Sequence, residues 1–166
     1  MNSNSAKKYD AQYHVAYKSF PGKNLFAVSA KIEMHRKEPR NVYTDVVFLE
    51  LTEDFSGGGN KKITMKVTAH DLRAMSYGIR ELLKNGKSSY RKFTDPSKAG
   101  NEGNKNQLSL GMLVNDDKIP TYYLNHLSGS KKLGFGFDAY SIASISDALL
   151  LIAEETDKAL FYYQRN

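Results

Sequence analysis

The chain has 166 residues, which suits one compact domain that buries roughly 70% of the unfolded chain's surface on folding. The absence of cysteine excludes disulfides and thiolate metal sites, and no apolar run approaches the length of a membrane span. The net charge is +6, and residues 61–105 hold 11 basic against 4 acidic residues. This local surplus favours a surface that binds a polyanion, although a merely solvated basic surface fits the same composition.

The first part of the chain alternates apolar and polar residues with the period of β-strands. A turn rich in glycine, over residues 55–60, precedes the last strand of this part. The strands are predicted over residues 12–18, 25–34, 42–51 and 61–67, of which 42–51 is the most deeply buried.

The outward face of the fourth predicted strand carries Lys62, Thr64 and Lys66. Alternate residues of a strand lie about 7 Å apart on one face, which is close to the phosphate step of an extended single strand. Lys62 and Lys66 are therefore predicted to contact phosphates. A solvated strand face explains the pattern equally well.

A helix is predicted after the fourth strand. Thr68 can cap its start, with Asp71 in the position of a capping box, and Gly86 is a natural stop. Its apolar stripe consists of Leu72, Met75, Ile79, Leu82 and Leu83.

The pattern then repeats, with strands over residues 88–93, 107–114, 120–127 and 131–137. A second helix starts near Asp138. Its buried face is predicted to carry Ile142, Ile145, Leu149, Ile152 and Thr156.

The predicted fold class is therefore α+β. Two four-stranded antiparallel sheets pack together, face to face or orthogonally, and the two helices associate at one end. Residues 1–11 are predicted to form a flexible N-terminus, 12–160 a single domain and 161–166 a C-terminal tail. The tail is expected to dock on a neighbouring subunit; folding back over the core and contact with nucleic acid are the alternatives.

Aromatic residues stand beside basic ones at two places, and stacking of bases on such rings contributes roughly 1–3 kcal/mol per base. Tyr17 and Lys18 precede a turn that contains Lys23, where an ordinary hairpin is an equal alternative. Residues 90–93 (YRKF) alternate, so that either Tyr90 with Lys92 or Arg91 with Phe93 forms the more exposed pair.

The two glycines of residues 133–137 (LGFGF) share one strand face, which favours close packing of a helix or a subunit. The second helix is so uniformly apolar that it is predicted to bury two faces, one against its own sheet and the other against the first helix or a neighbouring subunit. Leu149, Leu150 and Ile152 are assigned to an oligomer interface. The four histidines lack metal-ligand spacing, and no catalytic motif is present. No enzyme activity and no cofactor are expected.

The order of the elements resembles that of the Whirly single-stranded DNA-binding proteins and of the related mitochondrial guide-RNA-binding proteins. The resemblance covers residues 13–157. Residues 61–68 (KKITMKVT) are similar to the Whirly strand that runs through a threonine into the first helix. Residues 93–98 (FTDPSK), followed by Glu102 and Gly103, resemble the family's Phe-x-Asp-Pro-Asn-Lys segment and its acidic-glycine pair. Residues 22–26 (GKNLF) stand where plant members carry Lys-Gly-Lys-Ala-Ala-Leu.

The resemblance implies a tetramer formed through the helices, with single strands along the sheet edges between adjacent subunits and bases stacked on aromatic residues. It implies little sequence preference, no cofactor and no catalysis. The predicted nucleic-acid-binding residues are Tyr17, Lys18, Lys23, Phe26, Lys62, Lys66, Tyr90, Arg91, Lys92, Phe93 and Lys98.

The predicted function is binding of single-stranded DNA, largely independent of sequence, in replication, recombination or repair. An RNA-binding or annealing protein of the same fold and a structural assembly protein are the alternatives. The expected location is the cytoplasm, in a bacterial, phage or plasmid context, or an organelle if a presequence was removed. Homo-oligomers are expected, and membrane partners are not.

Overall fold

The computed structural model describes residues 14–19, 21–37, 39–58, 61–94, 106–128 and 131–165. Two antiparallel four-stranded sheets and two α-helices make up the chain, which confirms the α+β class and the order of four strands and a helix, twice over. Among the described residues, no helix is long and apolar enough to cross a membrane.

Sheet 1 has the strand order β1-β2-β3-β4, so β1 and β4 are its edges. Its inner face is apolar because the alternating residues predicted to point inward are buried there, for example Val28, Leu49 and Met65. A short 3-10 turn, Phe55–Gly57, lies within the predicted turn. The strands are β1 His14–Ser19, β2 Leu25–His35, β3 Val42–Glu53 and β4 Lys61–Val67.

Helix α1, Ala69–Asn85, begins and ends where the local signals predict. Thr68 accepts a hydrogen bond from the Asp71 N–H at 3.2 Å, and the Asp71 carboxylate accepts one from the Thr68 N–H at 2.9 Å. This is the predicted capping box. Gly86 ends the helix in the left-handed region with φ 71°.

Sheet 2 has the order β5-β6-β7-β8, and its first strand is shorter than predicted. Residues 88–90 are not part of a strand, because Glu81 of α1 accepts hydrogen bonds from the Ser88 hydroxyl at 3.1 Å and the Ser89 N–H at 2.9 Å. The strands are β5 Arg91–Thr94, β6 Asn106–Val114, β7 Pro120–Ser128 and β8 Lys131–Phe137.

Helix α2, Ala139–Arg165, follows Asp138, whose carboxylate accepts a hydrogen bond from the Ser141 N–H at 2.7 Å. The prediction of a separate tail over residues 161–166 is wrong, since the helix continues through Arg165. The ring of Tyr163 stacks on that of Tyr43 in β3, with centroids 5.4 Å apart. This contact ties the last turn of the helix to sheet 1.

Each helix packs on the sheet of the other half. Helix α1, which follows sheet 1, contacts β6 of sheet 2. A Cβ placed on its Gly78 would lie 2.5 Å from the Cβ of Tyr90 and 3.1 Å from Leu110 Cδ1, so only glycine permits this approach. Helix α2, which follows sheet 2, contacts β1, β2 and β3 as well as β7 and β8. The two helices also pack against each other, as predicted, and both sheets share one core.

The two helices meet at a pair of buried serines, Ser76 and Ser146. Their hydroxyl oxygens are 2.7 Å apart, and each lies near the other's backbone carbonyl oxygen, at 2.9 and 3.1 Å. Small side chains let the helix backbones come close, and the paired hydroxyls satisfy each other where water is absent.

Candidate nucleic-acid interface

The outer face of sheet 1 carries four lysines, and we call it the lysine face. They are Lys18 on β1, Lys31 on β2, and Lys62 and Lys66 on β4. The exposure of Lys62, Thr64 and Lys66 confirms the predicted outward face of β4. Because β4 is an edge strand, these residues lie at an open side of the sheet.

One row across the lysine face places a cation beside an aromatic ring. The row crosses the four strands from β4 to β1. In that order it contains Lys66, Phe48, Ser29 and Ala16, each directly opposite the next. Residues opposite each other have Cβ atoms about 4.5–5.5 Å apart. Phe48 is half-buried, and its neighbours towards β1 are small. A planar group could therefore lie against the ring while Lys66 meets a negative charge.

Sequence reasoning missed Phe48 because residues 42–51 were interpreted as a buried strand. The alternation of side chains along a strand could have revealed it. Phe48 is two residues from Glu50, so both side chains lie on the same face, and a charged residue marks that face as solvent-facing.

The lysines of this face differ in their ion pairing. Lys62 Nζ lies 2.7 Å from Glu50 Oε2, and Lys31 Nζ lies 2.7 Å from Glu33 Oε1. The hydrogen bond from Lys31 lowers the pKa of Glu33 below its ordinary value, and the charge of Lys66 adds to this effect. Lys66 itself makes no ion pair or hydrogen bond with any described residue. It is therefore the cation of β4 most available to a ligand.

The predicted residues near the first hairpin separate onto two sides of sheet 1. Lys18 and Lys23 are exposed, Lys18 on the lysine face and Lys23 in the turn before β2. Tyr17 points the other way and packs against the core. Phe26 is fully buried, with its ring edge-to-face against Phe137 at 6.5 Å. The assignment of Phe26 to base stacking is therefore corrected: its ring has no exposed surface.

Within the predicted segment 90–93, Tyr90 and Lys92 are half-buried on the core side and Arg91 is exposed on the outer side. Tyr90 packs against the core, and burial raises its pKa. Lys92 Nζ lies 2.8 Å from Asp71 Oδ1, so this ammonium is held at the start of α1. Burial of Asp71 alone would raise its pKa, yet hydrogen bonds from Lys92 and Thr68 hold it below the ordinary value.

Arg91 is exposed on the opposite side and donates a hydrogen bond to the Tyr90 carbonyl oxygen at 2.7 Å. The backbone of Phe93 belongs to β5, and its side chain lies outside the described part. The predicted contact of Lys98 also falls outside the described residues.

The outer face of sheet 2 contains the glycines of β8, and we call it the Tyr123 face. A Cβ on Gly136 would lie 3.1 Å from Tyr123 Cε1, and one on Gly134 would lie 2.9 Å from Asn125 Oδ1. Within the described part of the chain no helix packs on these glycines, because they face away from the core and make room for side chains of β7. Packing of a second subunit on them stays a prediction. Sequence reasoning also missed Tyr123.

The predicted oligomer interface is largely buried within the chain itself. Leu149 is 0% exposed and Ile152 is 2% exposed, since α2 covers both sheets. Neither can contact a second subunit in this fold. Leu150 is half-buried. The exposed large apolar and aromatic side chains of α2 are instead Tyr140, Leu151, Phe161 and Tyr162, which are 88%, 58%, 60% and 65% exposed.

The histidines do not assemble into a metal site within the described part of the chain. His126 is fully buried on the inner face of β7, and neither ring nitrogen has a hydrogen-bond partner among the described residues. Burial lowers the pKa of His126, because the charged form would lose its hydration.

No protein-family model, curated protein or solved structure matches the chain. The chemistry of its surfaces consequently carries the functional argument. These surfaces offer cations, half-buried rings and polar side chains on two sheet faces. Such a set can bind an extended anion with planar substituents.

Proposed function

We propose that the protein binds single-stranded nucleic acid on the lysine face and catalyses no reaction. The row that runs from Lys66 through Phe48 to Ser29 carries this proposal. A base stacks on the Phe48 ring, and the ammonium of Lys66 neutralises the adjacent phosphate. The small side chains of Ser29 and Ala16 leave room for the strand to continue across the sheet.

A single strand fits this row better than a duplex. The ring can stack only on a base whose face is free, and in a duplex both faces are covered by neighbouring pairs. Apart from Ser29 and Lys66, the row contains no group that could read a base edge, and Lys66 is assigned to a phosphate. Recognition is therefore largely independent of sequence, and the affinity comes from stacking and from charge neutralisation.

We further propose that the chain is a Whirly-type protein that handles single-stranded DNA in replication, recombination or repair. The repeated order of four strands and a helix supports this, as does the placement of Lys62 and Lys66 on an edge strand. In that family single strands lie along sheet edges between the subunits of a tetramer. For a homotetramer of this chain, Tyr140, Leu151 and Phe161 are among the outward residues of α2 that could contact a neighbouring subunit.

Fluorescence anisotropy with labelled single-stranded DNA, duplex DNA and RNA at two salt concentrations tests the proposal. Single strands should bind more tightly than the duplex, and the affinity should fall steeply with salt. Tighter binding of RNA than of DNA would move the function to RNA. Absence of binding to every single strand at low salt would refute the proposal and favour a structural role in assembly. Light scattering on the same samples measures the number of subunits.

A further inference from the structure

Tyr123 lies between glycines of both neighbouring strands. It is opposite Gly111 of β6 and Gly136 of β8. A Cβ built on Gly136 would stand 3.1 Å from Tyr123 Cε1 and 3.6 Å from Cζ, so the ring extends over the backbone of β8. The side chain is half-buried. One side of the ring thus rests on the sheet, and no large side chain stands on either neighbouring strand beside it.

The next row of the same face places an amide beside the ring. Asn125 is opposite Ser109 of β6 and Gly134 of β8. Its Oδ1 lies 2.9 Å from where a Cβ of Gly134 would be, and its Nδ2 lies 3.5 Å from the corresponding point at Gly111. The amide makes no hydrogen bond with a described residue. It therefore presents one acceptor and two donors to a ligand.

The charge of the Tyr123 face is positive. Arg91 of β5 is opposite Ser109, and Lys132 of β8 is opposite Leu127, so both lie on this face, and both are exposed. Among the described strand residues, the outward positions of sheet 2 include no aspartate or glutamate. The lysine face, in contrast, contains Glu33 and Glu50. An anionic partner would thus meet no carboxylate at these strand positions.

We propose that the Tyr123 face is a second contact site for single-stranded nucleic acid. A base stacks on the Tyr123 ring, the Asn125 amide hydrogen-bonds the strand, and Arg91 and Lys132 contact phosphates on either side. This proposal rests on the proposed function, because the ligand is the same. It adds that each chain contacts the strand with both sheets rather than with the lysine face alone.

Since the chain contains no tryptophan, a single introduced indole reports on one face at a time. The probe is Tyr123→Trp, and Phe48→Trp is the matched variant of the lysine face. The control is Tyr77→Trp, at a 61% exposed position of α1. Each is titrated with a thymidine oligonucleotide while anisotropy of a label on the strand follows binding. Stacking of a base should quench the emission of Tyr123→Trp and Phe48→Trp in step with binding, and leave that of Tyr77→Trp unchanged.

The outcomes separate the two proposals. Binding with quenching of Phe48→Trp but not of Tyr123→Trp would overturn the second site and leave the proposed function standing. No binding by any variant or by the unmodified chain would overturn both. The emission of Tyr123→Trp could also be blue-shifted before any strand is added and stay the same when the strand binds. This result would indicate that another copy of the chain covers the face, and it would overturn the second site.

Two further substitutions test the ring without an added fluorophore. Tyr123→Leu keeps an apolar side chain but removes the stacking surface, so the affinity should fall roughly 5- to 150-fold. Tyr123→Phe keeps the ring and should bind as the unmodified chain does. Equal affinities for the leucine and phenylalanine variants, both folded by circular dichroism, would overturn the proposal.

Discussion

Replacement of Lys66 by glutamine should weaken single-strand binding more than the same replacement of Lys62. Both lysines lie on β4 and face outward, but Lys62 Nζ is 2.7 Å from a carboxylate oxygen of Glu50, whereas Lys66 has no such partner among the described residues. A phosphate that meets Lys62 must compete with Glu50. A phosphate that meets Lys66 breaks no ion pair, because Glu33, whose pKa the charge of Lys66 helps to lower, is paired with Lys31.

The expected size follows from counterion release. Each phosphate contact on a single strand contributes about 0.7 to the slope of log K against log salt. If the variant and the unmodified chain bind equally at 1 M salt, a difference of about 0.7 in the slope makes their affinities differ roughly fivefold at 0.1 M salt. Lys66→Gln should show this full change, and Lys62→Gln a smaller one. Glu50→Gln should increase affinity, because it frees the Lys62 ammonium.

The assay is anisotropy titration of one labelled DNA strand over a series of sodium chloride concentrations, with Lys158→Gln as the control. Lys158 is on α2, away from the lysine face, and pairs with Glu155. Equal losses for Lys62→Gln and Lys66→Gln would contradict the argument from ion pairing. An unchanged salt slope for Lys66→Gln would remove β4 from the binding surface.

Three further predictions concern stability. The free energy of unfolding should be steady above pH 6.5, which is the ordinary pKa of histidine, and should fall as the pH drops below it. The reason is that the buried His126 takes up a proton only when the chain unfolds. Urea titrations over this pH range should show a smaller fall for His126→Leu. Thr68→Ala should lower the free energy of unfolding by about 1 kcal/mol through loss of the capping box, and an unchanged urea midpoint would mean that the cap adds nothing. Phe26→Ala should cost about 3–5 kcal/mol but leave the affinity of the folded protein unaltered, whereas weaker binding by folded protein would contradict its place in the core.

The elements themselves were predictable because their signals are local. Strict alternation over residues 61–67 and 131–137 produced the bounds of β4 and β8, which are Lys61–Val67 and Lys131–Phe137. The start of α1 was predictable for a similar reason, since Thr68 and Asp71 satisfy the first backbone N–H groups without any distant residue.

The candidate site was predictable only in part, because alternation assigns residues to two sides of a strand without saying what covers each side. Lys62 and Lys66 were assigned correctly to an exposed side of β4. Phe26 was not, since its exposure depended on the sheet that packs against it. The rings with open surroundings, Phe48 and Tyr123, became apparent only from the residues opposite them on neighbouring strands.

The sequence by itself determined the α+β class, the two runs of four strands and a helix, and the concentration of positive charge in residues 61–105. Only the tertiary structure decided that each helix packs on the other half's sheet, which buries Leu149 and Ile152 and leaves two sheet faces open. The physical reason lies in the range of the interactions. Capping hydrogen bonds and residue periodicity act within a few residues, whereas burial depends on contacts between residues far apart in the chain.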